Sequence, residues 1–325
     1  MQEVPSGNGR EANHRIRTTE HRRTVAAPPA ALYELVADVT RWPAVFGPTV
    51  HVQHLEHTGD RERFRIWAVL NGAVSNWTSR RVLDPVTRRI DFRQEVSRAP
   101  VASMGGSWEF LELPGGHTEV VLRHAFTAVD DDPEQAEWIT RAVDRNSPSE
   151  LGALARVAEL GHPVDEVVFS FTDEVELTVG AAEAFAFVDR ADRWAELLPH
   201  VDEVALEEPE PGVQRLEMVT RTADGATHRT ASWRVCQEPE WIAYKQSAPP
   251  ALLLGHSGLW TFGTDARGRP VATARHTVAV DPAAVPAVLG PGSTLADARA
   301  HLREALGGNS LRTLSFAAGA TTEAR

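Results

Sequence analysis

Residues 26–48, AAPPAALYELVADVTRWPAVFGP, recur in diverged form at residues 178–200, TVGAAEAFAFVDRADRWAELLPH. Trp42 aligns with Trp194, an offset of 152 residues. The same offset holds far downstream, where it aligns Trp108 with Trp260 and Phe110 with Phe262, and Arg123-His124 with Arg275-His276. Matches kept in register over so long a stretch indicate that the chain is a tandem duplication.

Each copy shows the same order of predicted elements. A short strand (20–25; 168–179) precedes a helix with apolar residues at helical spacing, and a tryptophan-containing loop follows. Several alternating segments separated by Gly, Pro and Asp then predict antiparallel hairpins. A long amphipathic helix closes each copy, at 133–160 and 293–316. The pattern predicts an α+β fold of two tandem helix-grip domains, each a bent antiparallel sheet around a long C-terminal helix, with an internal cavity.

These elements set the predicted boundaries. A disordered tail covers residues 1–19, the first domain residues 20–160, a linker residues 161–166, the second domain residues 167–317 and a C-terminal tail residues 318–325. The polar N-terminus lacks the apolar core of a signal peptide, and no apolar run is long enough to span a bilayer. We therefore expect a cytoplasmic protein without a membrane partner.

Composition limits the partners and the chemistry. The net charge of −12 argues against nucleic acid as the main partner. A single cysteine, Cys236, excludes a disulfide framework within the chain and a multi-cysteine metal site. Scattered histidines, and the lack of a phosphate-binding glycine loop, lead us to expect no metal and no nucleotide cofactor.

Two arginines, one in each copy, lie on predicted strands whose side chains alternate between two faces, and they are the first candidate catalytic groups. Ser79 and Arg81 share one strand face in the first copy, as Ser232 and Arg234 do in the second. Because only this face repeats its residue types, we expect it to point into the cavity. There, a guanidinium and a hydroxyl would stabilise an enolate or alkoxide. A ladder of surface arginines is the other interpretation.

One histidine in each copy lies on the apolar face of its strand. His124 alternates with Leu122 and Phe126, and His276 alternates with Ala274 and Val278. A pKa near neutrality would suit proton transfer during enolisation or dehydration. A core histidine with a backbone partner is equally compatible with the pattern. Asn146 and Asn309, on the closing helices, are candidates to orient a carbonyl or, alternatively, solvated helix polars.

The order of RWPAVFGP (41–48), NWTSRR (76–81), SWEF (107–110) and LRHAF (122–126), with asparagine-serine pairs on the closing helices, resembles the di-domain aromatase/cyclases of bacterial type II polyketide synthases. These proteins are similar to START and Bet v 1 helix-grip proteins. The resemblance covers roughly residues 20–317 and rests on motif order and duplication more than on any single motif.

The resemblance implies a function and a set of site residues. Its substrate would be a poly-β-ketone tethered to an acyl carrier protein, and its reactions a C7–C12 aldol closure and dehydration to an aromatic ring, with other synthase subunits as partners and no cofactor. The family's pocket residues map onto Arg81, Ser79, Trp77 and Asn146 in the first copy. In the second copy Arg234, Ser232 and Asn309 match, but Thr230 replaces the tryptophan, which leaves the role of that copy open. The predicted substrate-binding aromatic residues are Trp42, Phe46, Trp77, Trp108, Trp194 and Trp260.

Two other functions remain compatible with the sequence. The chain could be a non-catalytic carrier of a lipid or polyketide, because fold alone does not make a helix-grip domain an enzyme. One copy could also be an interaction module with a collapsed cavity.

Overall fold

The computed structural model describes residues 15–221, 225 and 227–319. The predicted N-terminal tail lies largely outside the described residues, and so does most of the predicted C-terminal tail. Within the described residues, no helix combines the length and apolarity that a membrane span requires.

The first half of the chain forms one antiparallel seven-stranded sheet in the order β1-β7-β6-β5-β4-β3-β2. Successive hairpins join β2 to β7, and β1 pairs with β7 at the opposite edge of the sheet from β2. The strands are β1 (Arg17–Val25), β2 (Thr49–Thr58), β3 (Arg61–Leu70), β4 (Ala73–Asp84), β5 (Arg89–Val96), β6 (Val101–Leu113) and β7 (His117–Ala128). The helices are α1 (Pro29–Ala37), α2 (Trp42–Val45) and α3 (Pro133–Ala158).

The second half repeats this order, β8-β14-β13-β12-β11-β10-β9. Its strands are β8 (Val168–Glu176), β9 (Val201–Glu210), β10 (Val213–Arg221), β11 (Thr227–Gln237), β12 (Trp241–Gln246), β13 (Leu253–Thr264) and β14 (Pro270–Val280). Its helices are α5 (Ala181–Asp189), α6 (Trp194–Leu197), α7 (Val285–Leu289) and α8 (Leu295–Ala317), and α4 (Val164–Val167) precedes β8. The prediction of two tandem α+β helix-grip units is confirmed.

Local sequence explains where the two long helices begin. Asp132 caps α3 by accepting hydrogen bonds from the backbone nitrogens of Glu134 and Gln135. Thr294 and Asp297 form a reciprocal capping box at the start of α8. Leu151, Leu154 and other buried residues of α3 pack on the concave face of the first sheet.

Two strands differ from the predictions. The sequence analysis missed β2 and β9 because both are edge strands with exposed polar stretches, and β9 contains Pro209. The short helix α4 begins within the predicted linker, and its residues Val164 and Val167 are buried.

The two halves share a hydrophobic seam, which consists of Val50, Trp67, Val74, Val235, Trp241 and Ala243. The rings of Trp67 and Trp241 meet edge to face, with centroids 5.2 Å apart. Beside the seam, the Lys245 ammonium donates to the backbone carbonyl of Pro43. A Cβ atom on Gly255 of β13 would come within 2.0 Å of the Ala44 carbonyl oxygen, so α2 packs directly against a glycine backbone.

Candidate active site

A row of directly paired residues crosses the inner face of the first sheet. Because paired residues on neighbouring strands point to the same side, their side chains share this face. The row runs Glu62, Arg81, Phe92, Gly106, His124 and Thr19. At about 4.8 Å per strand, it places the arginine and the histidine about 14 Å apart.

The second sheet carries the corresponding row at the same register. It runs Gln214, Arg234, Tyr244, Gly258, His276 and Phe171. Arginine, glycine and histidine are therefore common to both halves. At the other three positions the first sheet has glutamate, phenylalanine and threonine where the second sheet has glutamine, tyrosine and phenylalanine. We call these two sets the first row and the second row.

The glycine of each row makes room for the neighbouring aromatic ring. A Cβ atom on Gly258 would lie 2.2 Å from ring atoms of Tyr244, and one on Gly106 would lie 2.7 Å from Cζ of Phe92. Both distances are far below a van der Waals contact. The rings of Phe92 and Tyr244 consequently occupy the space that a side chain at the glycine would need, beside the histidine of their row.

Arg81 is buried and held by protein acceptors on several sides. Its Nε donates to Oε1 of Glu62 at 2.5 Å, Nη1 donates to the Val36 carbonyl at 2.7 Å and Nη2 to the Ala37 carbonyl at 2.6 Å. The guanidinium also lies 4.9 Å from the centroid of the Trp42 ring. Arg81 thus ties β4 to the last turn of α1, where exposed carbonyls favour a cation.

The carboxylate of Glu62 is the partner that keeps this buried charge neutralised. Burial would raise the pKa of Glu62, but hydrogen bonds from His54 and Arg81 outweigh burial and hold that pKa below its usual value. Burial lowers the pKa of Arg81, and Glu62 opposes the shift. The predicted contact of Arg81 with a substrate oxyanion therefore lacks support in this geometry, because every guanidinium nitrogen already donates to the protein.

Arg234 is equally buried but is much less engaged. Its Nη2 donates to the Val188 carbonyl at 2.7 Å, and its guanidinium lies 5.4 Å from the centroid of Trp194. Among the described residues, its Nε and Nη1 atoms have no hydrogen-bond partner. Gln214, at the position of Glu62, donates to Oδ1 of Asp189 instead. The second half therefore offers free guanidinium donors that the first half does not.

His124 is half-buried beside Phe92, with ring centroids 5.6 Å apart. Burial, with a smaller contribution from His21, lowers the pKa of His124 to about 4, so the ring is neutral near pH 7. Its Nδ1 has no partner within the described part of the chain. An open cavity of about 470 Å³ reaches His124 and Thr19. A neutral imidazole with a free nitrogen can accept a proton there.

His276 differs from His124 because both of its ring nitrogens are engaged. Ser310 Oγ lies 3.0 Å from His276 Nε2, and His256 Nε2 lies 3.0 Å from His276 Nδ1. The Tyr244 hydroxyl is 3.4 Å from the same Nδ1. Burial lowers the pKa of His276 to about 4 and raises that of Tyr244. The group therefore rests as neutral imidazoles and a neutral phenol.

The remaining candidate residues of these strands differ in how deeply their side chains are buried. Ser79 is buried next to Arg81, and Ser232 is half-buried. Trp77 packs at the edge of the cluster that contains Phe64 and Ile66.

The two asparagines lie at different depths. Asn309 is exposed, and α8 turns Ser310 inward instead, which agrees with the alternative of a solvated helix residue and leaves contact with a substrate as a prediction. Asn146 is half-buried, while the adjacent Ser147 is buried. The sequence alone does not show which member of the second pair faces inward, because residues 307–310 include no apolar side chain that would set the helical phase.

Most of the predicted aromatic residues are core residues. Trp42 and Trp194 donate their indole N–H groups to the carbonyls of Val36 and Phe187, and each ring supports the arginine of its half. Phe46 and Trp108 belong to the first core cluster. Trp260 is buried at 7% exposure, and its Nε1 has no partner among the described residues. Of the tryptophans predicted to bind substrate, Trp260 alone therefore presents a buried free donor.

Phe46 also lines a second cleft, of about 320 Å³, between the start of β2 and the C-terminal half of α3. Glu150 and Arg156 lie on its α3 side. Burial raises the pKa of Glu150 to about 7, which makes it a carboxyl group that titrates near neutrality.

One group in the described part of the chain has the geometry to hold a metal ion: His54, His57 and Glu62, whose ligand atoms all lie within 4.8 Å of one another. A β-bulge between His54 and Glu56 brings both histidines to the same side of β2. The Glu62 carboxylate is already shared between Arg81 and His54. Its primary role in this structure is therefore to neutralise Arg81.

Sequence reasoning missed Glu62, Gln214, Tyr244 and His256. The offset of 152 residues carried the signal for all four, since it aligns Glu62 with Gln214, Phe92 with Tyr244 and Met104 with His256. These differences at matched positions, a carboxylate against an amide and an apolar against a polar side chain, mark where the interiors of the two halves have diverged.

The comparisons with known proteins agree with this architecture. A family model described as polyketide cyclase/dehydrase and lipid transport matches residues 17–159. The granaticin polyketide synthase bifunctional cyclase/dehydratase of Streptomyces violaceoruber is 60% identical over 310 residues, which cover 95% of each chain. The actinorhodin counterpart of Streptomyces coelicolor is 51% identical, covering 96% of this chain and 98% of that one. The chain belongs to the polyketide synthase bifunctional cyclase/dehydratase family.

Solved structures support the same assignment. The di-domain aromatase/cyclase BexL of the BE-7585A pathway is 48% identical with a TM-score of 0.80, covering 95% of this chain and 99% of that chain. StfQ of the steffimycin pathway is 33% identical with a TM-score of 0.78, covering 93% and 97%. The predicted family, the α+β fold and the assignment as an aromatase/cyclase enzyme are confirmed. This bifunctional cyclase/dehydratase is thus an enzyme of aromatic polyketide biosynthesis.

Proposed function

We propose that this cyclase/dehydratase folds a poly-β-ketone inside its first half, directs a C7–C12 aldol closure and then removes water to give an aromatic ring. The observation that carries the proposal is a set of buried polar atoms without a protein partner on the inner side of the first half. These atoms are Thr19 Oγ1, His21 Nδ1, His124 Nδ1 and Gln135 Oε1. Buried polar groups of a stable protein are normally satisfied, so an oxygen-rich ligand is the natural partner.

Positioning accounts for most of the expected catalysis. The chain must bend so that a nucleophilic methylene meets one chosen ketone among several similar ones. Holding two reacting groups in that geometry contributes about 7–11 kcal/mol in the best intramolecular cases. We propose that the bound chain itself fills the cavity beside His124 and displaces water from it, which suppresses competing aldol partners.

His124 is the proposed base of the ring closure. As a neutral imidazole it removes a proton from the acidic methylene between two ketones, and later returns it to the new alkoxide. Arg81 acts through α1: by binding the carbonyls of Val36 and Ala37, it fixes the helix that covers one end of the interior. In the second half, Arg234 has two nitrogens without a partner among the described residues, and it is the guanidinium proposed to stabilise an oxyanion bound there.

The reaction chemistry determines the proposed partners. Poly-β-ketones cyclise spontaneously, so the substrate would arrive tethered to an acyl carrier protein and stay beside the other synthase subunits, in the cytoplasm. Aldol closure and dehydration are redox-neutral, and we propose that the enzyme uses no cofactor. The proposed functional units remain residues 20–160 and 167–317, joined through residues 161–166.

Reconstitution with a minimal polyketide synthase and a ketoreductase tests this function. We expect the wild-type protein to increase the fraction of correctly closed, aromatic first ring over spontaneous products. His124→Phe should reduce that fraction, whereas His117→Phe should not, because the His117 side chain is exposed on the same strand and lies within hydrogen-bond distance of the Gly115 carbonyl, away from the cavity beside His124. If the protein slows spontaneous cyclisation without changing its products, it is a carrier and the proposal fails.

A further inference from the structure

The second half contains a buried chain of hydrogen bonds that has no counterpart among the described residues of the first half. Ser310, His276 and His256 are at most 5% exposed. Distances of 3.0 Å join Ser310 Oγ to His276 Nε2 and His276 Nδ1 to His256 Nε2. The order hydroxyl, imidazole, second acceptor is the arrangement by which proteins prepare a hydroxyl for proton transfer.

The first half holds the same serine and histidine positions but does not form the chain. Met104 stands where His256 stands in the second half, and a thioether is only a weak acceptor. His124 Nδ1 therefore has no partner among the described residues. No side-chain hydrogen bond joins Ser147 to His124 in the described part of the chain, although α3 turns Ser147 inward. Divergence after duplication has thus built the chain in one half.

Donors for a developing negative charge lie next to this chain. Tyr244 pairs directly with Arg234 on the neighbouring strand, and its hydroxyl lies 3.4 Å from His276 Nδ1. Arg234 Nε and Nη1 and Trp260 Nε1 have no partners among the described residues. The ring centroids of Tyr244 and Trp260 are 5.4 Å apart. Acid–base and oxyanion groups therefore meet on the inner side of one sheet.

We propose that Ser310, His276 and His256 form the acid–base site for dehydration, and that the second half acts on the cyclic β-hydroxy ketone produced by ring closure. This inference rests on the proposed function and assigns one of its two steps to one half. The ligand class is a β-hydroxy ketone whose carbonyl oxygen faces Tyr244 and Arg234.

The step balances without a co-reactant. Ser310 Oγ takes the proton from the carbon next to the ketone while its own proton moves to His276 Nε2, and the C–H electron pair forms an enolate. The enolate electrons then form the carbon–carbon double bond as the C–O bond breaks. His276 returns its proton through Ser310 to the departing hydroxide, which leaves as water. The site ends in its starting protonation state.

Two features of the site, the burial of His276 and its hydrogen bond to His256, help this sequence of transfers. An imidazolium is disfavoured at His276, so the proton is returned quickly instead of being retained. His256 is a positioning residue: it acts through His276 by accepting the Nδ1–H, which leaves Nε2 free to receive the serine proton. Ser310 and His276 are the groups that carry the transferred proton.

The test uses the full-length protein with the minimal synthase and ketoreductase, and separates ring closure from water loss by mass spectrometry. For Ser310→Ala we expect correct ring closure, a fall in the rate of dehydration on the order of 10²-fold, and accumulation of a product one water heavier than the aromatic one. Thr313→Val is the matched control, since Thr313 lies one turn further along α8 and its hydroxyl donates to the Asn309 carbonyl within the helix. It should retain the wild-type product.

A second pair of variants tests His256 and guards against misfolding. His256→Met installs the first-half residue and should also accumulate the hydrated ring, while His256→Gln retains an acceptor and should restore part of the dehydration. If Ser310→Ala and His256→Met both dehydrate the closed ring at the wild-type rate, the inference is overturned while the proposed function stands. If the wild-type protein does not direct ring closure at all, the proposed function itself fails.

Discussion

The Nε atom of Arg81 donates to Oε1 of Glu62 at 2.5 Å, and both side chains are at most 4% exposed. Their counterparts Arg234 and Gln214 occupy the same register positions in the second sheet, but there the amide donates to Asp189 and two arginine nitrogens remain free. One exchange, carboxylate for amide, therefore separates an arginine whose nitrogens all donate to the protein from one with two nitrogens that lack a partner among the described residues.

This difference predicts unequal costs of removing the two arginines. Arg81→Ala leaves a buried carboxylate and two helix carbonyls without a donor, so we expect a loss of about 3–5 kcal/mol in the free energy of unfolding. Arg234→Ala leaves one carbonyl unpaired, and we expect about 1–3 kcal/mol. Urea unfolding of both variants measures the difference. Equal losses would show that Glu62 does not depend on Arg81.

A glycine contact at the junction of the two halves gives a second prediction. Gly255→Ala would place Cβ 2.0 Å from the Ala44 carbonyl oxygen, so α2 must move away from β13. We expect a loss of about 1–3 kcal/mol, as for other overpacked sites. Gly263→Ala, on the same strand with no heavy atom within 4 Å of the added Cβ, is the control and should be nearly neutral. If the two variants unfold at the same urea concentration, the close approach is absent in solution.

Buried neutral histidines predict loss of stability in acid. Burial lowers the pKa of His51 to about 3, and that of His124 and of His276 to about 4, from 6.5. Above pH about 6.5 these rings are neutral in both states and stability does not depend on them. Below it the unfolded chain takes up protons that the folded chain refuses, so each ring costs about 1.4 kcal/mol per pH unit until its folded pKa is reached.

His51 provides the variant that checks this sign. Its ring lies 4.8 Å from that of Trp241, centroid to centroid, beside the seam. In His51→Phe, the slope of unfolding free energy against pH between about 6.5 and 4 should be smaller by about 1.4 kcal/mol per unit than in the wild type. An unchanged slope would mean that His51 is protonated in the folded protein.

The position of Asn309 gives a prediction about activity. Because this side chain is exposed on α8, Asn309→Ala should leave product distribution and unfolding free energy close to wild type. Product analysis in the reconstituted synthase provides the measurement. A selective loss of the aromatic product would restore Asn309 to the group of candidate substrate-binding residues.

The sequence predicted the duplication, most strands and the side of β4 that bears Ser79 and Arg81, because these depend on local alternation and on the repeat. It did not identify Glu62 as the partner of Arg81, since that contact depends on the pairing register of β3 with β4. The phase of α8 was also hidden, because residues 307–310 are glycine, glycine, asparagine and serine. Edge strands β2 and β9 have too little burial to leave a pattern.

Lys245 is the single lysine of the chain, and its amine is enclosed where the two halves meet, donating to the Pro43 carbonyl. Burial lowers its pKa to about 8, so the amine would be a competent nucleophile if a reagent could reach it. Acylating labels should consequently leave this side chain unmodified while the halves remain packed. The fraction of chains that become labelled at Lys245 would then measure how often the two halves separate. The wild-type protein therefore contains its own probe of this opening.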